Sequence, residues 1–464
     1  MRHERLRTVS AAVLVASLAV ALAGRAAAHG GSLQADDARS LAIPLWLFLS
    51  TGGGVVGVSF LLTSFVTDRD LIRDIHDRRR EVGLSAATRR TLAGAARLVG
   101  VVGLVAVLLV GAFGPADPLR NLAVLVVWVG WWAGYTMTTY LVGNSWPALN
   151  PWRAGLWLRE WLPAPSPSYP ARLGSWPAVA GLLGLVWLEV VSPLADDPRL
   201  LTGVVLAYTL VTLAGAYVLG ETWFERVDPV SRVFAAYGAV APLYSDDEGR
   251  PRARVPGTGL EDEGLARDAS DVAFVAALLW VTTYDGLVAT PPWRDFASAA
   301  VGGGVPAPLL YPAALLAGFG LFLGLYRWAI RRGRRDAESY REPAELARRF
   351  APSLLAIAAG YHVAHYLGYL IELSPALVGA LAAPLSPGAP VAVVLPAWFS
   401  ALALGFVLLG HLAAIWVAHA VAYDLFPSRM QAVRSQYALT AAMVFYTMTS
   451  LWIVSRPYAA PPFV

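Results

Sequence analysis

Four histidines fall on two successive apolar stretches, His362 and His365 on one and His411 and His419 on the next. Neutral imidazole binds metal ions, relays protons and ligates haem, so these residue types at these places define the chemistry to be weighed. His362 and His365 are three apart and share a helix face with Tyr366 and Tyr369 close by. Carboxylates join them in the same apolar surroundings: Glu372 shortly after the histidine pair, Glu189 in an earlier stretch, and Asp285 within Thr282-Thr283-Tyr284-Asp285-Gly286. Ionisable groups within a bilayer cost several kcal/mol on insertion scales, so each asks for a partner or a task.

Three tasks fit this set. A metal site built from Asp285, Glu372, Glu189, His362 and His365 would use imidazole and carboxylate without sulfur, a donor set that suits Cu(II), Zn or Fe, with copper favoured by the general affinity order. A proton or small-solute pathway through the bundle would use the same residue types. A b-type haem needs two facing histidines on different helices, and His362 or His365 with His411 or His419 would supply them. Against a matched axial pair, His411 and His419 are eight residues apart, about 80° of helix rotation. Hydrogen bonding between helices is a fourth use of buried histidine and accounts for any one of them taken singly.

The elements that must position these residues are plain. Hydrophobic residues make up 57% of the 464 and charged residues 15%. The apolar residues run in uninterrupted stretches of spanning length near 42–66, 97–114, 119–142, 176–193, 199–220, 271–289, 309–330, 350–373, 396–420 and 436–454. Hydrocarbon offers no partner to a free backbone group, and continuous rather than alternating hydrophobicity selects helices over a barrel. The expected fold is all-α, a polytopic transmembrane helical bundle of about ten spans in the lipid bilayer.

Arginine sets the orientation. The chain has no lysine, and 27 of its 36 arginines lie around 67–97, 143–175, 221–270, 327–349 and 424–435. The opposite side holds Arg39, Arg120, Arg199, Arg294 and Arg456. That bias predicts a multi-pass plasma-membrane protein with cytoplasmic loops near 67–96, 143–175, 221–270 and 331–349, and with the mature N-terminus and the C-terminus outside. The positive charge is where topology wants it, so a net charge of +4 implies no nucleic-acid partner. Cysteine is absent, which excludes disulfides, thiolate metal sites and Fe–S clusters from this chain's own residues. No P-loop, dinucleotide-binding glycine motif, nucleophile elbow or H-E-x-x-H motif is present.

Residues 1–28 have the form of a signal peptide, with Arg2, Arg5 and Arg7, an apolar run from Val9 to Leu22, and Ala26-Ala27-Ala28 as the cleavage pattern. The alternative is an uncleaved first helix; both readings put His29 outside and leave residues 29–464 as a single membrane domain. Cleavage would make His29 the first residue, offering an α-amine and an imidazole together. This resembles the N-terminal histidine brace of copper-binding periplasmic proteins and membrane-bound copper oxygenases, and adds His29 to the metal-ligand set. On this orientation Glu189, Asp285, His365 and Glu372 gather in the outer half of the bundle, with His362 near mid-membrane and His411 at similar depth.

Glutamate shortly before Ser-Pro closes both 186–193 and 369–375, and two weaker echoes follow in the same order. They predict a tandem repeat of four helices, the third to sixth spans against the seventh to tenth. The segment 143–175, with Asn150-Pro151-Trp152 and Trp157, Arg159 and Trp161, reads as a turn and a short helix in the interface, and 228–243 reads similarly. From 244 to 270 the composition reads as a solvated loop.

Ala28-His29-Gly30, Ile43-Pro44-Leu45-Trp46-Leu47-Phe48, Asn150-Pro151-Trp152, Asp285-Gly286, Ala364-His365-Tyr366-Leu367 and Arg434-Ser435-Gln436-Tyr437 together resemble a set of prokaryotic polytopic membrane proteins with no established activity. The resemblance implies a membrane bundle and transfers no mechanism. The leading expectation is a His/carboxylate site that handles a metal ion, copper first, or moves a small solute or proton. A b-haem or quinone-linked redox subunit is the alternative from a different class, and a non-catalytic subunit working with other membrane subunits is the third.

Overall fold

The computed structural model describes residues 45–163, 167–246, 248–396 and 398–463. The leader and His29 lie outside the described residues. Each of the ten apolar stretches forms a helix: α1 Leu45–Ser64, α2 Ala86–Phe113, α3 Leu122–Leu141, α4 Trp176–Val191, α5 Pro198–Leu219, α6 Ala269–Val288, α7 Ala307–Asp336, α8 Leu354–Ala382, α9 Phe399–Leu425 and α10 Arg429–Val454. Among the described residues eight are long and apolar enough to cross a membrane, and α1 becomes a ninth when taken with Arg69–His76, from which a 114° bend separates it. α4 has only 16 residues, about 24 Å of helix. The protein is an all-α polytopic bundle.

Local chemistry starts several of these helices. Asp197 caps α5, accepting from the Arg199 and Leu200 amides, with Pro198 supplying a preset φ in the first turn. Asp268 does the same for α6 through the amides of Ser270 and Asp271. In α3 the stretch Leu125–Tyr135 is wound as a π-helix, a form usually met as single-turn bulges near functional sites.

Packing makes α6 the axis of the bundle. In its most apolar window 89% of residues are buried, against 17% for α2 and 22% for α5. α4, α7, α8 and α10 surround α6, whereas α2 and α5 pair with each other and give most of their surface to the lipid. Trp280 of α6 lies against Gly318 of α7 and donates to the Leu315 carbonyl at 2.8 Å. α8 and α9 cross closely: a Cβ on Gly360 would stand 2.6 Å from the Phe406 carbonyl oxygen and 2.8 Å from the Gly410 Cα.

The neighbours of the spans do not follow the expected tandem repeat. α8 and α9 pack along their length and α7 packs on α10, while their counterparts α4 with α5, and α3 with α6, are not packed neighbours. The segment 244–270 is also more ordered than its composition suggested. Strands β1 Arg79–Glu81, β2 Leu243–Ser245 and β3 Pro251–Arg254 form an antiparallel sheet in the order β1-β3-β2. Asp246 ties its turn, accepting from the amides of Glu248 and Arg250 and from the Arg252 guanidinium. The side chain of Arg254 is buried and donates to the carbonyls of Gly238, Ala239 and Ala241. Charged side chains fully paired this way need no solvated loop.

Ala154–Trp161 forms the expected short helix, which packs on α5 and leaves Trp157 and Trp161 exposed. The interfacial expectation for 228–243 fails, because Pro229–Gly238 is buried in the bundle with Phe234 and Tyr237 fully enclosed. Its Val233 is buried as well, and its Arg232 pairs with Asp271, 1% exposed at the start of α6, which Arg226 and Arg267 also approach.

Candidate functional site

A cavity of about 520 Å³ lies between the α2–α5 pair and α4, α6, α8 and the π-wound part of α3; the first turn of α3 packs on α2 and α5. Trp128, Trp131, Trp132 and Tyr135 on the π-wound part of α3 form one wall, and Leu201, Val204, Val205 and Tyr208 of α5 form another. The π winding spaces side chains differently from an α-helix and puts four aromatic rings onto one cavity. Such volume and apolar lining belong to small-molecule sites.

Polar groups gather at one end. Glu189 of α4, Asp285 of α6, and His365, Tyr366 and Tyr369 of α8 all line the cavity there. The Tyr366 hydroxyl donates to Asp285 Oδ2 at 2.8 Å, and His365 Nε2 stands 3.6 Å from the same oxygen. His365 is 26% exposed and Asp285 14%, so both reach the cavity. Tyr458, from the segment after α10, lines it as well. That segment lies across the adjacent end of α6, with Ala459 N donating to Ala289 O and the Tyr311 hydroxyl to Pro462 O.

The structure thus brings together Glu189, Asp285 and His365 of the residues expected from sequence. The others go elsewhere. His362 is fully buried one turn away, its Nδ1 3.0 Å from the Tyr140 hydroxyl and its ring among Trp132, Tyr237 and Tyr366. His411 turns Nδ1 to the Val407 carbonyl of its own helix at 2.8 Å. His419 Nε2 donates to Val66 O, and its ring stacks between Trp416 and Tyr423. Glu372 does not line the cavity; its carbonyl accepts from Val393 N.

These positions bear on the metal and haem expectations. Among the described residues no three His, Asp or Glu side chains stand close enough to share a metal ion. A copper site with three such ligands would have to draw on residues outside the described ones, His29 among them. Haem between His362 or His365 and His411 or His419 does not fit, because α8 and α9 are in backbone contact at Gly360 and Gly410 and leave no gap for a porphyrin.

The sequence reading missed the other end of the cavity. Asp228 is fully buried and caps Pro229–Gly238, accepting from the amides of Val230 and Ser231. It also accepts from the Tyr208 hydroxyl, whose ring lines the cavity. Burial pushes the Asp228 carboxyl above the usual range, against the hydrogen bonds from Ser231 and Tyr208. Asn150, capping Pro151–Arg153 through the Trp152 amide, is its counterpart in the facing segment. The shared Asx-Pro signature was the available signal.

No family model matches the chain, and neither a curated protein nor a solved structure shows significant similarity to it.

Proposed function

We propose that this multi-pass membrane protein binds and moves a small lipid-soluble molecule carrying a hydrogen-bonding polar head, in exchange with protons. The arginine-rich side faces the cytoplasm of a plasma membrane in this reading, and both mature termini lie outside. One observation carries it: a cavity walled by aromatic and aliphatic side chains whose polar end is the Glu189, Asp285, His365 and Tyr366 cluster. An apolar body is accommodated by the π-helical tryptophan wall, and the head replaces water at the carboxylates. Carboxylates at this depth are costly and need such a task. Asp285 and His365 face each other across 3.6 Å beside the Tyr366 hydroxyl, so a head that donates or accepts a hydrogen bond meets a carboxylate and an imidazole together.

Trp128, Trp131 and Trp132 make the cavity report on its own occupancy. The purified protein is titrated with a short-chain benzoquinone, an aromatic phenol and an aromatic amine of matched size, following tryptophan fluorescence. Saturable quenching by at least one probe, weakened in Asp285→Ala and abolished when Leu182→Trp fills the cavity, is the expected result. Quenching that is linear for all three, or that is indifferent to both substitutions, overturns the reading. Equilibrium dialysis with copper, with and without His29→Ala, separates this site from an N-terminal metal site.

A further inference from the structure

A second, polar cavity of about 200 Å³ lies on the arginine-rich side, lined among others by Asn144, Asn150, Ser231, Arg232 and Glu225. Trp146 lines both cavities. Its indole is 4% exposed and sits among aromatic rings, 4.8 Å from Phe234, 5.7 Å from Tyr135 and 5.9 Å from Trp131. On the polar side, Trp146 Nε1 donates to Ser231 Oγ at 3.2 Å, and Asn150 Nδ2 donates to the same oxygen at 3.3 Å.

We infer that the polar cavity is the antechamber of the same path and that Trp146 is the gate between the two compartments. The inference rests on the proposed binding of a lipid-soluble molecule and extends it, because a receptor for such a molecule needs one compartment and a carrier needs two. The indole is suited to the place. Its apolar face completes the aromatic wall, while its N–H is held by a single hydroxyl that also serves Asn150. Trp146 begins a helix of only four residues, Trp146–Leu149, so its swing needs no long element to move. A solute crossing this point exchanges an apolar wall for amide, hydroxyl and guanidinium groups, which again selects an apolar body with a polar head.

Thiol accessibility tests the gate without knowledge of the solute, since the chain contains no cysteine. Thr282→Cys places a thiol in the large cavity and Ala235→Cys one in the polar cavity. Vesicles with the arginine-rich side outward are treated with a charged, membrane-impermeant thiosulfonate. Cys at 235 is expected to react whether or not Trp146 is present. Cys at 282 is expected to be protected in the parent and to react about tenfold faster with Trp146→Ala, as opening of a closed state removes about 1.4 kcal/mol from access. Ser231→Ala, which frees the indole N–H together with Asn150 Nδ2 and removes the hydroxyl's bond to Asp228, should give an intermediate rate and decides the matter if Trp146→Ala does not fold. An unchanged rate at 282 in a folded variant whose Cys at 235 still reacts overturns the gate. Saturable tryptophan quenching beside an unchanged rate would leave binding intact and reject the gate alone, so the two failures are distinct.

Discussion

Tyr366 on α8 donates its hydroxyl to Asp285 on α6 at 2.8 Å, tying the most enclosed helix of the bundle to the helix that carries the histidine pair. His365, the next residue back on α8, faces the same carboxylate oxygen at 3.6 Å. Removing the hydroxyl leaves the carboxylate short of a donor in low dielectric. Tyr366→Phe is therefore expected to lower stability by about 1.5–3 kcal/mol, the range for hydrogen bonds to charged groups, and to weaken probe binding. Thermal unfolding in detergent and the quenching titration read the two effects.

His362 and His365 should separate by phenotype. His362 is fully enclosed and bonded to Tyr140, so His362→Ala empties a packed site and is expected to cost about 2–5 kcal/mol with probe affinity retained. His365→Ala, at a partly exposed position on the cavity, should unfold near the parent temperature and lose affinity. Equal effects of both substitutions on affinity would refute the assignment of roles.

The α8–α9 crossing predicts a steric asymmetry along one helix. Gly360→Ala puts a methyl against the Phe406 carbonyl and the Gly410 backbone and is expected to cost about 1–3 kcal/mol. Gly379→Ala, on the same helix with open space around it, should be neutral or stabilising by up to about 1 kcal/mol. Paired melting curves check both.

Asp228 predicts a pH effect of defined sign. Burial raises its carboxyl above the unfolded value, so the protonated form is favoured in the fold. Its contribution is fully present below the unfolded pKa and is lost as pH rises through the folded one. Asp228→Asn keeps one acceptor oxygen at the cap without the charge, so its stability relative to the parent should grow as pH rises across that window. Asp228→Ala loses the cap as well and should cost about 1 kcal/mol relative to Asn. Melting temperatures of the three proteins across a pH series decide it.

The sequence carried the ten helices because each reports its solvent locally, residue by residue, through continuous hydrophobicity. It carried Glu189, Asp285 and His365 as a group because an ionisable residue at membrane depth stands out without knowledge of neighbours. It could not show that His362 turns to Tyr140, since that depends on α3 lying against α8 rather than on any spacing in the chain. The cavity itself was illegible for the same reason. It exists because α2 and α5 stand away from α4, and lipid-facing and cavity-facing apolar side chains look alike in sequence. The repeat misled because glutamate before Ser-Pro and small-residue helices recur in apolar segments irrespective of their packing partners. Trp146 was legible only as part of the turn within 143–175 until the structure placed it between two compartments.

Most of the helices that enclose α6 are made after it. α4 precedes it, but α7, α8 and α10 follow, and until α10 emerges one side of α6 has no protein cover. During synthesis, then, Thr282, Thr283, Tyr284 and Asp285 must wait in lipid or in the insertion machinery for their final neighbours. Enclosure of α6 is therefore complete only once α10 is in place, and nascent chains halted before α10 are expected to be cleared by membrane proteases rather than accumulate as stable partial bundles.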